Sequence, residues 1–149
     1  MQTQPTEAGF RQFLAQMDEA TRRVLNGDTG LWKELCSRAD DATIFGGWGG
    51  FEQGWTRLDA KYTWAAARFV TGELQIEYLV TNVSGNLAYS VALERSNVRL
   101  IDQTAAAPMV LRVTQLYRYE EDGWKLLHRH ADPLMNITPP AAVLQPRGE

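Results

Sequence analysis

Apolar residues recur along the chain with two different periods. Phe10, Phe13, Leu14, Met17, Thr21, Val24 and Leu25 fall at i, i+3, i+4 and i+7, which predicts an amphipathic helix. Asn26-Gly27 closes that pattern, and Asp28 is placed to cap a second helix with Leu31, Trp32, Leu35 and Cys36 as its apolar stripe. Residues 42–45 make a short strand candidate. The run Gly46-Gly47-Trp48-Gly49-Gly50 behind it must be irregular, because fixing glycine in a regular element is entropically costly. A third helix is expected over about residues 51–64, with Trp55, Leu58 and Tyr62 on one face.

Beyond that helix the period becomes two. Leu74, Ile76, Tyr78 and Val80 alternate with polar residues and predict a strand with one buried face. After a turn at Ser84-Gly85-Asn86, Leu87, Tyr89, Val91 and Leu93 alternate in the same way. Residues 109–119 are apolar on both faces, as suits a central strand. Glu121-Asp122-Gly123 is a tight-turn signal, and residues 124–131 are the last strand. The tail over residues 134–149, with Pro139-Pro140 and Pro146, is expected to be a loose arm. Helices followed by consecutive hairpins predict one α+β domain over residues 1–149, with helices packed on one face of an antiparallel sheet. If that sheet curves, a pocket lies between the layers.

Composition narrows the classes. An apolar content of 44% with 22% charged residues suits a globular domain able to bury a core. A net charge of −3 argues against a nucleic-acid or anionic-membrane surface, which needs clustered Lys and Arg. No apolar run approaches the roughly 20 residues of a spanning helix, and no apolar segment follows Met1 as in a signal peptide. A cytoplasmic protein is expected. The single cysteine, Cys36, excludes an internal disulfide and sits in a helical apolar pattern, as a small buried hydrophobe would.

Candidate chemistry concentrates on the last strand. Strict alternation there puts His128, His130 and Asp132 on the face of Trp124 and Leu126, and leaves Lys125 and Arg129 opposite. On that expectation the histidines face inward as acid/base groups, and Asp132 orients them. No metal is expected, because His128-x-His130-x-Asp132 is followed by Pro133 rather than by a further ligand. Arg112 lies in an otherwise apolar strand. It either pairs with a carboxylate at the sheet edge or dimer face, or anchors a ligand carboxylate or enolate through its fork. Trp48 is a large apolar residue in a glycine loop, placed to cover a pocket mouth or a dimer contact. Tyr62, Tyr78 and Tyr117 are further candidates to touch a ligand, although aromatics of this kind are core by default. Neither a phosphate-binding glycine loop nor a G-x-S-x-G elbow is present, so no nucleotide cofactor is implied.

Several stretches together resemble the SnoaL-like, NTF2-like proteins, which include polyketide cyclases and ketosteroid isomerases. They are Asn26-Gly27-Asp28, Ala39-Asp40-Asp41-Ala42-Thr43, Leu111-Arg112-Val113-Thr114, and Asp122-Gly123-Trp124-Lys125 running into His128-Arg129-His130-Ala131-Asp132. The last also resembles the association domain of calcium/calmodulin-dependent kinase II. The resemblance implies an NTF2-like cone, with three N-terminal helices on a strongly curved sheet. It also implies a small apolar or aromatic ligand and a homodimer formed through the outer face of that sheet. At the position matching the isomerases' catalytic aspartate stands Gly46, and the position matching their oxyanion-hole tyrosine is Ala20, so that arrangement is not carried over. The limonene-epoxide-hydrolase trio finds no match. An isomerase- or cyclase-type acid–base activity and a non-catalytic oligomerisation module remain the two expectations.

Overall fold

The computed structural model describes residues 5–121 and 123–144. Asp122, in the expected Asp-Gly turn, and Pro146 of the tail lie outside them. The first helix, α1 (Glu7–Val24), starts where the Thr6 hydroxyl accepts the Gly9 N–H and buries Phe10, Phe13, Leu14, Met17, Ala20 and Thr21. The second, α2 (Gly30–Leu35), is one turn and a half, with the Asp28 carboxylate accepting the Gly30 N–H just ahead of it. The glycine-rich run separates two short strands, β1 (Thr43–Phe45) and β2 (Phe51–Gln53), which pair antiparallel. Gly49 and Gly50 make that return at φ 99° and 73°, a region that side-chain-bearing residues avoid. Helix α3 (Trp55–Ala66) therefore begins later than the sequence pattern suggests, because residues 51–53 belong to the hairpin.

Four long strands follow: β3 (Phe69–Ser84), β4 (Leu87–Leu100), β5 (Ala107–Glu120) and β6 (Gly123–Pro133). The six strands form one curled sheet in the order β2-β1-β6-β5-β4-β3. All neighbours are antiparallel except β1 and β6, so the fully antiparallel sheet expected from sequence is corrected at that edge. The last described residues, 134–144, are exposed and carry a 3-10 turn at Pro140–Val143.

One end of the layered space is packed solid. Phe10 meets Tyr117 and Trp124 edge-on at 5.1 and 5.2 Å, and Phe13 meets Tyr117 at 5.7 Å. Tyr117 is 0% exposed. At the other end the C-terminus of α1 sits directly on β3. A Cβ on Gly72 would lie 2.9 Å from both Leu25 Cβ and Val98 Cγ1, so that glycine sets the approach of helix to sheet. Beyond this contact the layers part.

Candidate functional site

Where the layers part, a cavity of about 350 Å³ opens between α1, α2, α3 and the inner face of β4, β5 and β6. Its walls are mainly apolar, with Leu25, Trp32, Tyr62, Phe69, Leu74 and Met109 among them. Trp48 stands at the rim, 49% exposed, with its ring 5.6 Å from Trp64 and 5.5 Å from Phe69.

The deep polar feature is an ion pair. Arg129 of β6 and Glu94 of β4 both line the cavity, and Glu94 is only 6% exposed. Arg129 donates from Nη1 to Glu94 Oε2 and from Nη2 to Glu94 Oε1, both at 2.8 Å, a bidentate fork. Its Nη1 also donates to Gln115 Oε1 at 2.8 Å. Gln115 Nε2 in turn donates to the Tyr117 hydroxyl at 2.6 Å, which shares a 2.8 Å hydrogen bond with Ser90. Burial opposes the guanidinium charge, but the Glu94 carboxylate and its hydrogen bonds outweigh that penalty and hold Arg129 above its ordinary range. Tyr62 is pushed well above the usual phenol range, chiefly by burial, so its hydroxyl stays protonated. The indole N–H of Trp32, another lining residue, is buried without a hydrogen-bond partner among the described residues.

The expected histidine face is corrected. Leu116 pairs with His128 but Tyr117 pairs with Leu126, so Leu127 is an extra residue in β6, a bulge. Trp124 and Leu126 are buried before it; after it Arg129 and Ala131 point in, and His128, His130 and Asp132 point out. His130 is exposed, and both imidazoles meet Phe45 edge-on at 5.2 Å. His128 Nδ1 shares a 2.7 Å hydrogen bond with Thr43 Oγ1. Burial, then the neighbouring His130 charge, lowers the His128 pKa. Asp132 is held by Arg112 through two hydrogen bonds of 2.8 and 2.7 Å, which lower the carboxyl pKa. Arg112 therefore sits on the outer face with a carboxylate partner, and neither it nor the His-His-Asp set lines the cavity.

The aromatic candidates divide. Trp48 and Tyr62 line the cavity. Tyr117 is sealed in the core, and Tyr78 donates its hydroxyl to Asp18 of α1 at 2.6 Å instead of lining the cavity. Cys36 is buried, and its thiol is pushed up to about 12 by burial, so it supplies no thiolate nucleophile.

The model of the SnoaL-like domain family matches residues 11–135. The chain belongs to the SnoaL-like family. Its fold is similar to that of solved structures at low identity. A dehydratase-like member of the NTF2-like family from Streptomyces avermitilis aligns with TM-score 0.72 and 18% identity over 86% of this chain and 95% of that one. A calcium/calmodulin-dependent kinase II association-domain-like protein from Thiobacillus denitrificans gives 0.68 and 20%, over 88% and 97%. A ketosteroid isomerase-like protein from Erwinia carotovora atroseptica gives 0.73 and 14%, over 86% and 95%. No curated protein matches this sequence. At these identities the likeness is one of fold.

In this SnoaL-like chain the charged groups of the cavity are Glu94, Arg129 and Lys61, none of which is among the site residues expected from the sequence. Glu94 had a signal in the sequence. It shares its parity in β4 with Ala88, Ser90, Ala92, Ser96 and Val98, all buried, while Leu87 and Tyr89 on the other parity are exposed. The small residues, not the large apolar ones, mark the face under the helices. Among the described residues no helix is long and apolar enough to cross a membrane.

Proposed function

We propose that the chain binds a small apolar or aromatic molecule in this cavity, as a homodimer in the cytoplasm. The observation that carries the reading is a mostly apolar hollow of about 350 Å³ with a buried Glu94–Arg129 pair inside it. Facing the hollow, the pair offers a ligand hydroxyl or carbonyl both a donor and an acceptor. The Glu94 carboxylate uses one lone pair on each oxygen for Arg129 and retains others. It is therefore the group placed to take a proton from a bound ligand, if the chain is an acid–base enzyme of isomerase, cyclase or dehydratase type. Homodimerisation is supported by the exposed apolar outer face of the sheet, which includes Leu87, Tyr89 and Leu116.

A thermal-shift screen against aromatic, steroid and polyketide-like compounds tests the binding reading, since a ligand of the folded state alone raises the melting midpoint. Ala65 of α3 lines the cavity, and Ala65→Phe fills part of it. The expected result is a shift with the native chain that disappears in the folded Ala65→Phe protein. A shift of equal size in both would place the binding elsewhere.

A further inference from the structure

The cavity is not neutral. Of its charged lining groups, Glu94 and Arg129 cancel each other, and Lys61 remains. Lys61 lies on the inward side of α3 toward the rim, where its methylene chain runs beside Gly46 and its ammonium rests 4.8 Å from the centre of the Trp64 ring. Among the described residues it has no hydrogen bond to an acceptor and no ion pair. The nearest acidic side chain on its own helix, Asp59, is taken by Lys33 at 2.7 Å. The Arg68 guanidinium, four residues past Trp64, lies 5.1 Å from the centre of the same ring, and among the described residues it has no carboxylate partner either. A lysine lying on a tryptophan face is ordinarily solvated at its ammonium. A ring face, however, satisfies none of the three ammonium N–H donors, and they stand at the entrance of an apolar hollow.

We infer that the pocket takes a monoanionic, otherwise apolar acid, an aromatic or alicyclic carboxylic acid, with its carboxylate at Lys61 and its hydrocarbon body inward. The inference rests on the cavity being a ligand site and adds the charge and the orientation of the ligand. Charge sets the orientation. A carboxylate pushed to the deep end would meet the carboxylate of Glu94, which already neutralises the Arg129 charge, whereas at the rim it meets a cation with no carboxylate partner among the described residues. The body then lies along Phe69, Leu74 and Met109 and reaches the Trp32 ring.

Tryptophan-fluorescence titration with naphthoate and with naphthamide, its neutral isostere, separates charge from shape. In the native protein naphthoate should bind about tenfold or more tightly than naphthamide, the range expected of a charge-assisted hydrogen bond. In Lys61→Met the acid should fall to the level of the amide while the amide is unchanged, and Lys61→Arg should keep the preference for the acid. Circular dichroism melts of the variants exclude unfolding as the cause. Equal binding of the two probes by the native protein, or an undiminished acid preference in Lys61→Met, overturns the inference and leaves the pocket reading standing. Binding of neither probe strikes both.

Discussion

Arg129 is the residue on which the cavity depends, and its environment decides what its loss should do. Its guanidinium and the Glu94 carboxylate are both buried and joined by two hydrogen bonds of 2.8 Å. Removing one member of such a pair leaves the other charge desolvated and uncompensated, which costs about 3–5 kcal/mol, whereas replacing both by apolar groups is often close to neutral. Arg129→Met should therefore lower the urea-unfolding free energy by about that amount, and the double variant Glu94→Leu/Arg129→Met should regain most of it. Additive losses in the double variant would show that the two side chains are not energetically coupled. In sequence, Arg129 reads as an outward residue between two histidines, because alternation assigns faces by counting. A single unpaired residue, Leu127, shifts the count for everything after it. Nothing in the residue types around 126–128 announces that bulge. It takes the register against β5 to see it.

At the scale of elements, the sheet and α1 were legible because their periods are clean, and the buried positions of α1 are nearly all those its pattern names. β1 was legible as a short strand, but its partner β2 was not, since a three-residue strand carries too few positions for a period to show. In β4 the pattern was present but its meaning was reversed. Leu87, 49% exposed, and Tyr89 alternate cleanly, yet they face away from the helices. A sheet with apolar residues on both faces needs a cover on each, and alternation alone does not say which cover comes from the same chain. Gly72 decides how closely α1 approaches β3, and with it the position of Leu25 in the cavity wall. Gly72→Ala puts a methyl group into 2.9 Å contacts with Leu25 and Val98 and should destabilise the fold by about 1–3 kcal/mol, read from chemical denaturation. An unchanged midpoint would mean that the helix can shift away without loss.

For the whole molecule, the two faces of the sheet divide the work. The inner face carries the helices, the packed aromatic end and the cavity; the outer face carries Leu87, Tyr89, Leu116, Phe45, the two histidines and the Arg112–Asp132 pair. If the outer face joins two copies, Leu116→Asp, at a position 41% exposed, should convert a dimer to a monomer in analytical ultracentrifugation while ligand-induced thermal shifts survive. A native monomer, or a variant that stays dimeric, would remove that assignment; a large ring would favour the assembly role instead. Ligand is expected to enter on the Arg129 side of β6 and not on the histidine side. Heteronuclear NMR of the side chains during titration with the best compound of the thermal-shift screen tests it most directly. The expected result is movement of the Arg129 Nε and Trp32 Nε1 signals with the His128 and His130 ring signals unmoved; shifts confined to the two imidazoles would contradict it.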